Sequence, residues 1–540
     1  MLHSRLVLLL STALSATAAA QTWTPASAPN LGDPNNALTG SVELDGFLYT
    51  AAINVVSGAE VWRYDGVGPQ ALSSGGGFGD PSNLGIGAAI EFDGSIFVAA
   101  GNLVSPVEVW RFDGANWTQS NVDGFGNPAR VNAAFEVLDG VLYATSVRVN
   151  GGCGVHRYDP VTGWTTLEAN GFGSLNNRQA LLDVFNGNLY AGTFNDLTGG
   201  EVWRHDGGTS WTRVDPGSGM DASGPENQTT APYSFNGTLY VATENFSTGS
   251  ELWEYQGGTT WTQFGMDGFG NSANFDVDPA TIFEGDVVFA TLSFTGAEVW
   301  RFAGGTNLVP INLPGFGDSA NEAVVNFVEF DGALHAATFN AIRGGQVWRY
   351  EGGTTWTKLD PGVGGFGSTS NDVAQLSVLR GELHATVADR VWRLTPDALG
   401  TSFCSPGTPN SAGSPGVLGA SGRAVAAAND FTLNASSLPT NSFGFFLVSR
   451  TFGSGIVPPG SVGRLCLTGS IGRFVGTGQI QTSGAAGAFS LQTNLTQQPT
   501  PNGLVAVQAG ETWSYQTWHR DSAGGTPVSN FTEGLTVTFR

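Results

Sequence analysis

Apolar and polar side chains alternate over short stretches through most of the chain, and Asn-Gly or Asp-Gly pairs interrupt them; this period of two marks half-buried β-strands. Residues 181–214 are representative. An alternating segment at Leu181–Phe185 meets the turn Asn186-Gly187, and Leu189–Thr193 runs back. After a loop come Glu201–His205, the turn Asp206-Gly207-Gly208 and finally Trp211–Val214. Both residues of such turns tolerate positive φ, so each pair favours a tight hairpin. Four antiparallel strands are predicted, and no copy has the 3.6-residue period of a helix.

This unit recurs. Its anchor, the Trp of Val-Trp-Arg, falls at Trp62, Trp110, Trp203, Trp253, Trp300, Trp348 and Trp392, with His156 in the third copy. Successive gaps of 48, 46, 47, 50, 47, 48 and 44 residues match propeller blades and exceed leucine-rich or ankyrin periods. A fourth-strand word appears at Trp117-Thr118, Trp164-Thr165, Trp211-Thr212, Trp261-Thr262 and Trp356-Thr357. One more, Trp23-Thr24, stands ahead of any first strand, whereas the last copy stops at Val391–Leu394. The N-terminal strand is expected to complete the last blade. The prediction is an all-β, eight-bladed β-propeller over residues 21–400, its sheet edges hidden by radial packing.

Residues 1–20 carry His3 and Arg5, the apolar run Leu6–Leu10 and alanines to Ala20, the pattern of a secretory signal peptide cleaved near Ala20. A secreted or cell-surface chain starting at Gln21 is expected. No later segment reaches the roughly 18 apolar residues that span a bilayer, so no membrane span is predicted. From Pro396 to Pro415 the chain is rich in Ser, Gly and Pro, which places a boundary near residue 400. Beyond it, short strands such as Gly444–Val448 and Leu535–Phe539 predict a small β-sandwich over 401–540. Cys404 and Cys466 are its candidate disulfide, a constraint worth up to ~4 kcal/mol, whereas Cys153 stands alone among the repeats.

Composition narrows the partners. Glycine supplies 78 of 540 residues, about twice the usual share, and charged residues are only 12%. The net charge is −23, and Lys358 is the sole lysine. Nucleic-acid binding needs clustered cations to release counterions, so no nucleic-acid partner is expected. Anionic lipid is disfavoured for the same reason.

Several motifs invite chemistry. Glu60, Glu108, Glu201, Glu251 and Glu298 precede the anchor by two, and arginines such as Arg111 and Arg204 follow it by one. Positions three apart lie on opposite strand faces, so these charges are expected to pair between adjacent blades or to remain solvated. Gly-Phe-Gly loops, among them Gly77–Gly79, Gly124–Gly126, Gly171–Gly173 and Gly315–Gly317, are rich in Asp and Asn. Calcium would suit such oxygen donors. Several of the loops lack a carboxylate and none has dense acidic spacing, so the reading is structural: glycines for unusual angles, Phe to plug the gap between blades. No metal and no cofactor is predicted. His156, His205, His335 and His384 occupy aromatic positions of the repeat and read as packed rings. No G-x-S-x-G, H-E-x-x-H or paired C-x-x-C occurs, and the catalytic residues stay unknown. In the C-terminal module, Trp513, Tyr515 and Trp518 are the candidate ligand-binding residues, since such rings could stack on a sugar; the sandwich core is their other expected place.

The repeats resemble those of secreted bacterial kelch-like and galactose-oxidase-like proteins, and the last 140 or so residues resemble C-terminal β-domains behind varied bacterial ectodomains. The paired glycines, Tyr and Trp do not follow the kelch order, so the oxidase's copper chemistry is not carried over. The sequence favours an extracellular binding or adhesion protein whose partner is a glycan or a protein, carbohydrate being one ligand class that fits. The first alternative is a propeller-type glycoside hydrolase or polysaccharide lyase using carboxylates at the propeller mouth. The second is a structural envelope component.

Overall fold

The computed structural model describes residues 22–65, 69–71, 76–101, 106–148, 151–217, 220, 226–302, 308–359, 365–371, 374–380, 382–395, 399–422, 424–426 and 429–539. The expected leader over 1–20 and linker residues 396–398 lie outside them. The chain divides into two compact units, one spanning Trp23–Leu394 and the other containing Thr395–Arg540. Among the described residues no helix is long and apolar enough to cross a membrane.

In the larger unit each copy of the repeat is a four-stranded antiparallel meander. The first comprises Asn36–Leu44, Phe47–Asn54, Glu60–Tyr64 and Pro69–Ala71, and the fourth Gln179–Phe185, Asn188–Phe194, Val202–Gly207 and Ser210–Arg213. The fourth and fifth copies join through the Phe194–Thr229 bridge. In the last sheet, Thr22–Pro25 pairs with Arg390–Thr395, beside Glu382–Val387 and Ala374–Leu379. Sheets in this succession, the last completed by the N-terminal strand, form a β-propeller.

The first hairpins turn as their sequences require. Asp45, Asp93, Asp139, Asn186, Asn236 and Asp331 all have φ between 48° and 56° and precede a positive-φ glycine. Glu284 and Arg380 take the same left-handed position in their copies. Small residues in second strands let copies approach closely: a Cβ on Gly192 would sit 1.8 Å from the Thr230 carbonyl oxygen of the next copy.

The Gly-Phe-Gly loops interlock the copies. Phe78, Phe172 and Phe316 adopt φ of 58°, an angle rare outside glycine, and each ring enters the following copy. There Phe172 stacks on Trp203 at 5.3 Å and meets Trp211 edge-on at 5.0 Å. Phe78 does the same with Trp110 and Trp117, and Phe316 with Trp348 and Trp356. In the last copy the edge-on partner of Phe366 is Trp23, at 5.1 Å. Trp23 Nε1 donates to the Leu359 carbonyl at 2.8 Å, as Trp261 does to Val214 and Trp356 to Ile311. The N-terminal Trp is thus the structural equivalent of the fourth-strand Trp211, Trp261 and Trp356.

Among the described residues, Arg111, Arg204 and Arg301 do not make the expected pairing between blades with the glutamates that precede the anchor by two. Four of the five glutamates instead accept from the indole N–H of the Trp two residues on, at 2.8 Å for Glu60, 2.9 Å for Glu108, 3.0 Å for Glu201 and 2.8 Å for Glu251; Glu298 accepts from the Asn271 side-chain amide. The first four carboxylates also accept from the side-chain amides of Asn36, Asn83, Asn177 and Asn227, at or just before the start of the first strand of their own copy. A second Asn extends the relay: Asn195 donates to Asn177 Oδ1 at 2.8 Å, and its own oxygen accepts from the Leu197 and Thr198 amides. Asn54, Asn245 and Asn340 repeat that clamp. The arginines find local partners: Arg204 pairs with Asp206, Arg301 with Glu284 and Asp286, and Arg111 donates to Ser95. The physical reason is reach: residues two apart share a strand face, so Trp and Glu meet before any charge on the opposite face can compete.

In the smaller unit the two larger sheets share one core. One runs Thr401–Phe403, Gly534–Thr538, Thr512–Ala523, Phe443–Ser449 and Gly472–Arg473; the other runs Val417–Gly422, Phe431–Ser436 and Phe489–Thr493. Phe431, Leu433 and Phe489 of the second sheet meet Phe446, Trp513, Tyr515 and Val537 of the first in a single buried cluster. Cys404 and Cys466 are disulfide-bonded, with Cα atoms 6.2 Å apart.

Candidate functional site: an acidic pocket on the first strands

The first strands of copies three to six bring carboxylates together that lie far apart in sequence. Glu136 comes from Arg130–Leu138, Asp183 from Gln179–Phe185, Tyr233 from Thr229–Phe235, and Asp276 and Asp278 from Asn274–Phe283. Glu136, Tyr233, Asp276 and Asp278, with Glu244, line a pocket of about 580 Å³, whose walls include Leu181, Ala231 and Ala280; Asp183 stands behind the lining, its charge felt by Glu136. A bulge in the last strand, between Val277 and Ala280, sets two residues opposite one and re-aims Asp278. None of the lining residues is Arg, Lys or His.

The surroundings favour protonated carboxyls. Burial pushes Glu136 up to about 7, helped by the negative charge of Asp183 and opposed by the Leu182 amide. Burial likewise pushes Asp276 up to about 7, against the Val277 amide and with Glu244 and Asp278 adding to the rise. Asp183 and Asp278 are raised by burial too, Asp183 against the Ser234 hydroxyl. Tyr233 is held as the neutral phenol by burial and by Asp278, Asp276, Glu136 and Asp183. Glu136 and Asp278 nonetheless keep part of their surface open to water. Near neutrality the pocket therefore presents both hydroxyl donors and carboxylate acceptors. It can hydrogen-bond a polyhydroxyl ligand or supply a general acid beside an ionised carboxylate.

A carboxyl raised on folding leaves the folded chain holding more protons than the unfolded one, so its contribution falls as pH rises through the interval between the two values. Here the interval runs from ordinary values of 4.5 for Glu and 3.8 for Asp to about 7. Glu136→Gln combined with Asp276→Asn is expected to flatten the decline of melting temperature between roughly pH 5 and pH 7.5. Parallel curves for variant and parent would show that these groups are not shifted.

Sequence reasoning did not single out these acids. Their signal is a departure from the repeat: four residues before the first-hairpin glycine stand Val42, Ile90, Glu136, Asp183, Tyr233, Thr281, Val328 and Ser377, acidic in two adjacent copies alone.

The residues proposed from sequence as a sugar platform do not form one. Trp513 and Tyr515 are 1% and 0% exposed, because their strand face is the one that packs on the second sheet. Trp518 points to the opposite face, half-buried and stacked on Phe445 at 4.9 Å. Two rings in a core and one behind it cannot bind the same ligand. His156 lies buried between Ser146 and Thr166, its pKa pushed down to about 3 by burial and by Arg130. His205 packs tilted against Trp211 at 4.8 Å, and His335 and His384 are buried. Cys153 is buried, its thiol pushed up to about 12, which leaves it unreactive. Among the described residues no group of three His, Cys, Asp or Glu side chains is arranged to hold a metal ion.

No protein-family model and no curated protein sequence matches this chain. Several solved structures are similar to it. The β-propeller domain of the Trilobed protease from Pyrococcus furiosus aligns at 11% identity over 60% of this chain and 97% of its own length, with a TM-score of 0.38. A prolyl endopeptidase aligns at 11% identity and a TM-score of 0.42 over 75% of this chain, which spans 56% of that protein's length. The Aleuria aurantia lectin, solved with alpha-methyl-L-fucoside, aligns at 13% identity over 54% of this chain and 98% of its own, with a TM-score of 0.31.

Proposed function

We propose that the chain is an exported binding protein: an eight-bladed propeller over 21–400, followed by a β-sandwich over 401–540, that takes a neutral carbohydrate at the acidic pocket. The eight-blade count treats the joined fourth and fifth meanders as two blades, which their separate sets of four strands support. One observation carries the ligand class. Four carboxyl groups and a phenol line one pocket without a cation beside them. Uronates and phosphates would meet like charge there, whereas hydroxyl groups can both give and receive hydrogen bonds.

The test is a glycan array with the whole secreted chain, followed by titration calorimetry of the hits. Neutral glycans are expected to bind, and Glu136→Gln with Asp276→Asn to weaken them at least tenfold; binding confined to anionic glycans, or unchanged by both substitutions, would overturn the reading. A second reading, glycoside hydrolysis, is favoured by the elevation of Glu136 and Asp276 to about 7, which keeps a proton available at neutral pH. Product released from a bound glycan, and lost in Glu136→Gln, would establish it.

A further inference from the structure

We infer that the propeller face carrying the second-to-third-strand loops is a docking surface for a polypeptide partner that presents cationic side chains among apolar ones. The strands of each copy are antiparallel, so these loops emerge at the same end as the Gly-Phe-Gly loops, and hydrogen bonds such as Gly268 N to Ser250 O tie the two sets together. At the loop tips stand Val56, Leu197, Phe246, Phe294 and Ile342, each from a different copy and 51–69% exposed. Met266 and Leu313, beside the Gly-Phe-Gly loops, are 69% and 61% exposed on the same face.

These side chains are not the loose ends of mobile loops. In four copies the loop is clamped by the buried Asn whose oxygen accepts two of its amides, and that Asn is anchored through a second Asn. Phe246 and Phe294 are fixed further, since each stacks at 4.7 Å on Phe275 between them, forming a three-ring ladder across two copies. Apolar groups repeated once per copy and held rigidly in water mark an interaction face, and rigidity lowers the entropic cost of binding.

Charge selects the occupant. Asp80, Asp123 and Asp267 are exposed on this face, while Arg178, Arg343 and Arg390 are neutralised by Asp196, Asp318 and Asp389. A second copy of the chain would bring the same negative field, and anionic lipid would be repelled. The apolar tips are spaced one per copy with carboxylates between them, which suits separate side chains of a polypeptide better than the continuous apolar layer of a bilayer. This inference is independent of the pocket reading.

The test measures the whole chain against three labelled peptides in near-physiological salt: alternating Leu and Lys, Lys alone at equal charge, and alternating Leu and Glu. Phosphatidylcholine vesicles and the protein's own self-association complete the set. The Leu/Lys peptide is expected to bind tightest. Phe246→Ser with Phe294→Ser should weaken it at least tenfold, and Leu197→Ser with Ile342→Ser should act in the same direction from other copies. Val161→Ser, on an exposed third-to-fourth-strand turn at the opposite end, should leave it unchanged. Equal binding of Lys alone, insensitivity to both double variants, preference for vesicles, or self-association abolished by Phe246→Ser with Phe294→Ser would each overturn the inference.

Discussion

Trp23→Ala is expected to lower the unfolding free energy of the propeller by about 3–5 kcal/mol, the usual cost of emptying a large aromatic site. Trp23 is buried among Leu359, Phe366, Leu376, Leu383 and Leu394, and its indole N–H bonds the Leu359 carbonyl. Removal leaves a void, an unpaired carbonyl and a last sheet whose fourth strand has lost its anchor. Trp261→Ala removes the equivalent ring from an internal copy, where it is covalently flanked on both sides. Similar losses for the two, read by urea unfolding, would show that the closing strand carries the same load as an internal one. A loss under ~1 kcal/mol at Trp23 alone would mean that the ring does not depend on its closure.

Glu201→Ala is expected to cost a comparable ~3–5 kcal/mol, because removing one member of a buried charged network strands the others. The Glu201 carboxylate accepts from Asn177 at 2.6 Å, Trp203 at 3.0 Å and Arg213 at 2.9 Å. Without it the Asn177 amide and the indole lose their acceptor, and Asn195, held by Asn177, loses its bearing on the loop tip at Leu197. Glu201→Gln should cost less, roughly 1–2 kcal/mol. The seventh copy shows why. There Gln346 accepts from Asn321 at 3.0 Å, but Trp348 Nε1 is left without a partner. Equilibrium unfolding of both variants checks the order, and equal stability of Glu201→Ala and parent would remove the relay from the account of how the copies are held.

The architecture was legible because its signals are local or periodic. Asp-Gly and Asn-Gly pairs fix the first hairpins through positive φ, and the surplus Trp23-Thr24 sets against a final copy that ends at its third strand. The Glu relay was available to the same alternation argument, since residues two apart share a face, but attention to the Arg three positions on drew it across the sheet. Its Asn partners lie 24 or 25 residues upstream in neighbouring loops, a distance over which alternation carries no information. The aromatic run at Trp513–Trp518 shows the complementary limit. Its two faces were readable, but which of them meets the second sheet depends on the partner strands. The acidic pocket needs four first strands in register around one axis, and no single segment encodes that.

Pairing Thr22–Pro25 with Arg390–Thr395 has a consequence for biogenesis. Thr22–Pro25 must wait unpaired for a strand made much later, Arg393 lying 369 residues beyond Thr24. The preceding meanders can form in order of synthesis, the Gly-Phe-Gly loops plugging into the next copy, while only the last remains incomplete. Such long-range pairing is slow and leaves strand edges open to other chains. Thr22–Pro25 is therefore the last strand of the propeller to find its place, and crowding by other chains would be most damaging in that interval.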